Sequence, residues 1–200
     1  MKYLLSLALL LVPSFVLSAC SLWNTVPAST PSPTPVPKVS PNPDLSGPTT
    51  QGDSQGNDSV VAIKTKYGDI VIRLFTKDAP KTTANFLAKA KSGFYNGLTF
   101  HRVEPNFVIQ GGDPKGNGTG GGTIQSEINA IPFKKGSVGL ARGPIKANSN
   151  DSQFFICLST ENCQSLTNEY VNFGEVISGF EIATKIQVGD LISQITTATK

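Results

Sequence analysis

The chain is poor in the residues that most enzymes use for covalent or acid–base chemistry. It holds one histidine, His101, and three cysteines, Cys20, Cys157 and Cys163, among 200 residues. No His/Cys cluster occurs at ligand spacing, so no metal site is indicated. His101 has no partner serine or cysteine motif, which argues against nucleophilic catalysis. Charge is scarce too. Lys and Arg total 17, Asp and Glu 14, and the net +3 is spread without a basic cluster, so no nucleic-acid partner is expected. Long apolar runs are also missing. The longest stretch, Leu4 to Leu17, is interrupted by Ser6, Pro13 and Ser14 and is short for a membrane span.

What is present divides the chain into three parts. Residues 1–19 read as a signal peptide, with Lys2 ahead of the apolar stretch. That part ends in Leu17-Ser18-Ala19-Cys20, similar to the bacterial lipoprotein processing site. This predicts lipidation of Cys20 and an extracytoplasmic protein anchored to a bacterial membrane, periplasmic or at the cell surface. Residues 20–58 form a Pro/Ser/Thr-rich tether with Pro27, Pro31, Pro33, Pro35, Pro37, Pro41, Pro43 and Pro48. Leu22 and Trp23 are its bulky pair, too little apolar area to offset chain entropy, so disorder is expected. At roughly 3 Å per residue it reaches up to about 100 Å. Residues 59–200 are long enough for one domain with its own core.

Within that domain, Val60–Thr65 and Ile70–Phe75 are β-rich runs around a turn at Lys66-Tyr67-Gly68-Asp69. Asp78-Ala79-Pro80-Lys81 starts a helix, with Phe86, Leu87 and Ala90 on one side and Gly93 ending it. Further strands are predicted around Leu98–Arg102, Phe107–Gln110, Ser137–Ala141, Phe154–Leu158, Phe173–Val176 and Leu191–Thr197. A second helix is predicted over Phe180–Ile186. Many short strands with two helices suggest a small antiparallel barrel.

The most informative stretch is Phe100-His101-Arg102-Val103-Glu104-Pro105-Asn106-Phe107-Val108-Ile109-Gln110-Gly111-Gly112-Asp113-Pro114. In strict alternation Arg102 and Gln110 share a face of an unbroken strand. Pro105 introduces an irregularity that brings Phe107 round to join them. A cation, an amide and an aromatic supply no nucleophile or titrating base, but they suit an apolar ring beside an amide. Gly116-Asn117-Gly118-Thr119-Gly120-Gly121 matches G-x-G-x-x-G. A dinucleotide loop needs a helix directly afterwards, and Gly122-Thr123-Ile124 follows instead.

These residues resemble the signature of the cyclophilin-type peptidyl-prolyl isomerases. Two further motifs extend the resemblance from about Val61 to about Ile195: Gly139-Leu140-Ala141-Arg142 with Asn148 to Ile156, and Val171-Asn172-Phe173-Gly174-Glu175-Val176. The resemblance implies a mainly β fold, a closed eight-stranded antiparallel barrel capped by two helices. It implies that Arg102, Phe107 and Gln110 are catalytic. His101, Val108, Ala141, Arg142, Gln153, Phe155, Leu166 and Tyr170 are then the substrate-binding residues. On residue type alone His101 is structural, facing away from Arg102.

Several positions depart from the family pattern. Val108 stands at the pocket Met, Ser165 at a Trp common in eukaryotic members, Tyr170 at the pocket His, and Arg142 at an Asn. The activity implied is X-Pro isomerisation during the folding of exported proteins, by a monomer acting on proline-containing polypeptides. It needs no cofactor. The departures leave a second reading, a non-catalytic proline-peptide-binding chaperone or surface adhesion module. A Cys157–Cys163 disulfide is compatible with an oxidising compartment and is left open.

Overall fold

The computed structural model describes residues 59–198, so the signal peptide and tether expected over residues 1–58 lie outside the described residues. The first hairpin pairs β1 (Val60–Thr65) with β2 (Gly68–Leu74). Gly68 takes φ +125, and its carbonyl accepts a hydrogen bond from Thr65 Oγ1 at 2.8 Å. Val61, Ile63, Ile70, Ile72 and Leu74 are fully buried on the inner face. Helix α1 (Pro80–Lys91) opens with Pro80 and buries Thr82, Thr83, Phe86 and Ala90. Its first-turn N–H groups have no local cap. Those of Lys81 and Thr82 donate to the carboxylate of Glu127 at 3.0 and 2.7 Å.

There follow β3 (Phe100–Glu104), β4 (Val108–Gly111), β5 (Thr123–Gln125), β6 (Ser137–Leu140), β7 (Asn148–Asn150) and β8 (Phe154–Cys157). The chain then forms α2 (Thr160–Cys163), a 3-10 turn over Gln164–Leu166, β9 (Val171–Ser178), α3 (Phe180–Ala183) and β10 (Gln194–Ala198). Eight strands make one antiparallel sheet in the order β10-β1-β2-β9-β6-β8-β4-β3; β5 and β7 pair separately.

Three expectations change. The sheet is an open, strongly curled half-barrel, not a closed one. Its edge strands β3 and β10 form no ladder, because residues 189–193 are irregular and Gly189 takes φ +90. The gap is spanned by an isolated bridge, Thr99 to Leu191, and by backbone bonds such as Gly97 N–H to Ile192 O at 2.8 Å. The two-helix cap fits only in part. The second helix is one turn, Phe180–Ala183, and an additional turn, α2, forms where a loop is predicted, with Ser159 Oγ capping Asn162 N–H. Finally, the 100–114 stretch is a hairpin and not one strand. Pro105 and Asn106 form a turn, and Asn106 takes φ +60.

Candidate active site

The hairpin puts Arg102 and Gln110 directly opposite each other on β3 and β4. Gln110 in turn faces Phe155 on β8, and Phe155 faces Gly139 on β6. Cation, amide, aromatic ring and glycine therefore form one row across four strands. The alternation that sends Ile109, Phe154 and Ile156 to the main core sends Val108, Gln110 and Phe155 to the opposite face. A second apolar cluster forms there from Val108, Phe133, Phe155, Cys157 and Cys163, flanked by Phe107, Leu166 and Tyr170. It encloses one side of a cavity of about 170 Å³ lined by Arg102, Phe107, Val108, Gln110, Ala141, Arg142, Phe155, Leu166 and Tyr170.

The polar groups are held in fixed directions. Arg102 Nη1 donates to Gln110 Oε1 at 3.4 Å, and its guanidinium lies 5.8 Å from the centre of the Phe107 ring. Glu104 is a loose partner at 3.6 Å, and the Arg102 side chain stays 42% exposed. Gln110 Nε2 donates to Gln153 Oε1 at 3.0 Å, and Gln153 Nε2 donates to the carbonyls of Gly118 and Gly120 at 3.2 and 2.8 Å. Gln153 is thus a buried brace behind Gln110 and does not line the cavity. Phe155 stacks on Phe133 at 5.6 Å and meets Tyr170 edge-on at 5.6 Å.

Arg142 packs 4.7 Å from the centre of the Tyr170 ring. It donates to the Glu169 carbonyl at 2.9 Å and to its carboxylate at 3.2 Å. Lys146 reaches the same carboxylate at 2.7 Å, and this hydrogen bond, against a small cost of burial, holds the Glu169 carboxyl below the usual range. Among the described residues no carboxylate lines the cavity.

His101 does not line the cavity. It falls on the register irregularity between Phe100 and Arg102, and neither ring nitrogen has a hydrogen-bond partner. Burial holds its pKa below the ordinary value, with Asp113 opposing and Arg102 assisting.

Sequence reasoning passed over three residues that shape the site. A Cβ on Gly139 would lie 2.2 Å from Cζ of Phe155, so only glycine lets the ring sink onto the sheet. Asp113 is buried and accepts the N–H groups of Lys115, Asn117 and Gly118 at 2.9, 3.0 and 2.5 Å. Burial opposes its charge, but those bonds outweigh it and hold its carboxyl low. These N–H groups of the Gly-rich loop are thereby spent inside the protein, and two of the loop's carbonyls hold Gln153. Glu169 ties the 142–146 loop to Tyr170. Of these signals only the Asp113-Pro114 turn dipeptide was visible locally.

Comparison with known proteins agrees with this geometry. The family model described as cyclophilin type peptidyl-prolyl cis-trans isomerase/CLD matches residues 60–199. A peptidyl-prolyl cis-trans isomerase of Helicobacter pylori is 42% identical over 139 residues, covering 66% of this chain and 83% of the relative. A crystal structure of a cyclophilin type peptidyl-prolyl cis-trans isomerase of Cryptosporidium parvum superposes with a TM-score of 0.66 at 34% identity, covering 72% of this chain and 99% of that one. A second crystal structure of that protein, in the presence of the dipeptide Ala-Pro, gives 0.65 over 70% of this chain and 99% of its own. With the family model matching residues 60–199, well over half its length, the chain belongs to the cyclophilin-type peptidyl-prolyl cis-trans isomerase family.

Proposed function

We propose that the cavity binds the proline ring of an X-Pro segment and that Arg102 stabilises the twisted peptide bond. The observation that carries this is the row Arg102, Gln110, Phe155 and Gly139: a charged donor, an orienting amide and an apolar seat at successive registers. Rotation about a peptide bond costs about 18–20 kcal/mol because resonance is lost. In the twisted state the prolyl nitrogen regains a lone pair. A donor aimed at it binds the twisted form better than the planar one and so lowers the barrier. A guanidinium offers a rigid, charged fork for this. One charged hydrogen bond contributes about 1.5–3 kcal/mol. A millionfold acceleration requires about 8 kcal/mol. The remainder falls to Phe107, Val108, Phe155 and Leu166 around the ring, and to Gln110 orienting the neighbouring amide. Ala141, Arg142 and Tyr170 complete the lining of the cavity.

The substrates in this reading are proline-containing segments of exported proteins. The Ala-Pro dipeptide reported with the Cryptosporidium relative supports the substrate class. The Leu17-Ser18-Ala19-Cys20 ending supports an acylated Cys20 holding the chain to a bacterial membrane.

The test is cis/trans exchange of a proline-containing peptide by the full chain, with Arg102→Ala as the control. Acceleration lost in the variant supports the assignment. Equal acceleration by both chains refutes the role of Arg102. Tight peptide binding without acceleration favours the chaperone or adhesion reading. Mass analysis of the N-terminal peptide checks the anchor, and an unacylated Cys20 in cells removes it.

A further inference from the structure

Cys157 and Cys163 are free, fully buried thiols. They share one buried apolar cluster with Val108, Phe133 and Phe155. Cys157 ends β8, where its cross-strand partner is Val108 on β4. Cys163 closes α2, and its Sγ–H donates to the carbonyl oxygen of Phe107 at 3.4 Å. Leu158 N–H donates to the same oxygen at 2.7 Å, and Asn162 Nδ2 donates to Asn106 O at 2.8 Å. The two thiols therefore sit behind Phe107 and Val108, which both face the cavity.

We propose that Cys157 and Cys163 form a reversible dithiol–disulfide pair whose oxidation loosens the cavity wall at Phe107. The oxidant is an external disulfide of the glutathione class. The Cys163 thiolate attacks one of its sulfurs and expels one external thiolate, leaving a mixed disulfide. Cys157, giving up its proton, then attacks the Cys163 sulfur and expels the second external thiol. The pair loses two protons and two electrons, and the external disulfide gains both.

The geometry assigns these parts. Cys163 is the attacking sulfur because it ends the single exposed turn α2, whereas Cys157 lies within the sheet. Its neighbours Cys157, Ser159 and Leu158 favour its thiolate against burial. Cys157 is held as the thiol by the neighbouring Cys163 and by burial. Access comes through α2, a single turn whose Thr160, Glu161 and Asn162 are exposed and need only local opening. Once the disulfide forms, Cys163 has no S–H to give, and the Phe107 carbonyl keeps only the Leu158 donor.

The experiment uses the full chain carrying Cys20→Ser, so that these two thiols stand alone. It is equilibrated with reduced and oxidised glutathione at graded ratios and quenched by alkylation. The two thiols are expected to disappear together with loss of two hydrogens in mass, and the fragments produced by cleavage at Glu161 to remain joined. The kcat/KM for a proline peptide is expected to fall about fivefold, the size of one neutral hydrogen bond, and to return with dithiothreitol. Cys157→Ser and Cys163→Ser chains should each lose all dependence on the glutathione ratio. The idea is overturned by a stable mixed disulfide on Cys163, by thiols that oxidise only after denaturation, or by a disulfide that leaves kcat/KM unchanged. The rate readout rests on the isomerase reading; the mass readout does not, so failure of one is distinguishable from failure of the other.

Discussion

Phe154 and Phe155 are consecutive residues of β8 and live in two different interiors. Phe154 is fully buried inside the curled sheet, with edge contacts to Phe86, Tyr95 and Phe100 at 5.6, 5.9 and 6.4 Å. Phe155 points the other way, stacks on Phe133, and forms part of the cavity wall. The inner cluster is filled from every side. The outer one is left with a gap about the size of a small ring. One strand thus supplies stability on one face and recognition on the other, and the two can be disturbed separately.

The largest expected effect is on the inner face. Phe154→Ala should destabilise the domain by about 3–5 kcal/mol, the usual cost of a large buried aromatic, read by denaturant unfolding. A loss under about 1 kcal/mol would mean that the inner cluster relaxes freely. Next comes the outer face. Arg102→Ala should lower kcat/KM by about 10- to 150-fold, as one charged hydrogen bond would, with an unfolding midpoint close to the parent. A comparable fall in stability would erase the distinction between the two faces.

Gly139→Ala tests the boundary between them, because the nearest atoms the added Cβ would meet all belong to the Phe155 ring. We expect about 1–3 kcal/mol of overpacking, relieved by the ring rising into the cavity and read as a higher KM. An unchanged KM would show that the sheet yields instead.

The smallest effect concerns His101, whose pKa in the folded state lies below its ordinary value. The folded protein therefore binds the proton less readily than the unfolded chain. The His101 contribution is complete above the unfolded pKa of about 6.5 and is lost as pH falls below it. A Tm series from pH 8 to 5 should show a shallower fall for His101→Phe than for the parent.

Much of this was legible in the sequence. All eight strands of the main sheet and α1 followed from β-branched runs, turn residues and Pro80. Arg102, Phe107 and Gln110 were marked as a group by residue type and by the family resemblance, but a hairpin and not the alternation of an unbroken strand sets Arg102 opposite Gln110. What stayed hidden depends on residues far apart in the chain. The open edge arises from how residues 97–100 and 189–192 meet. The β5–β7 pair is short and mostly polar, so it has no apolar period to read. Gly139 looked like any strand glycine until Phe155 was placed on it. Gln153 was assigned to the channel through the family resemblance, but its partners Gly118 and Gly120 lie on another loop.

The clasp of Glu127 on α1 has a kinetic consequence. The helix begins at Ala79 without a capping side chain, and the carboxylate that completes its first turn lies 46 residues beyond Lys81. A nascent chain ending before that point would carry a frayed helix start. Ordering of α1 is therefore tied to a long loop closure, and such coupling slows collapse while making the final assembly all-or-none.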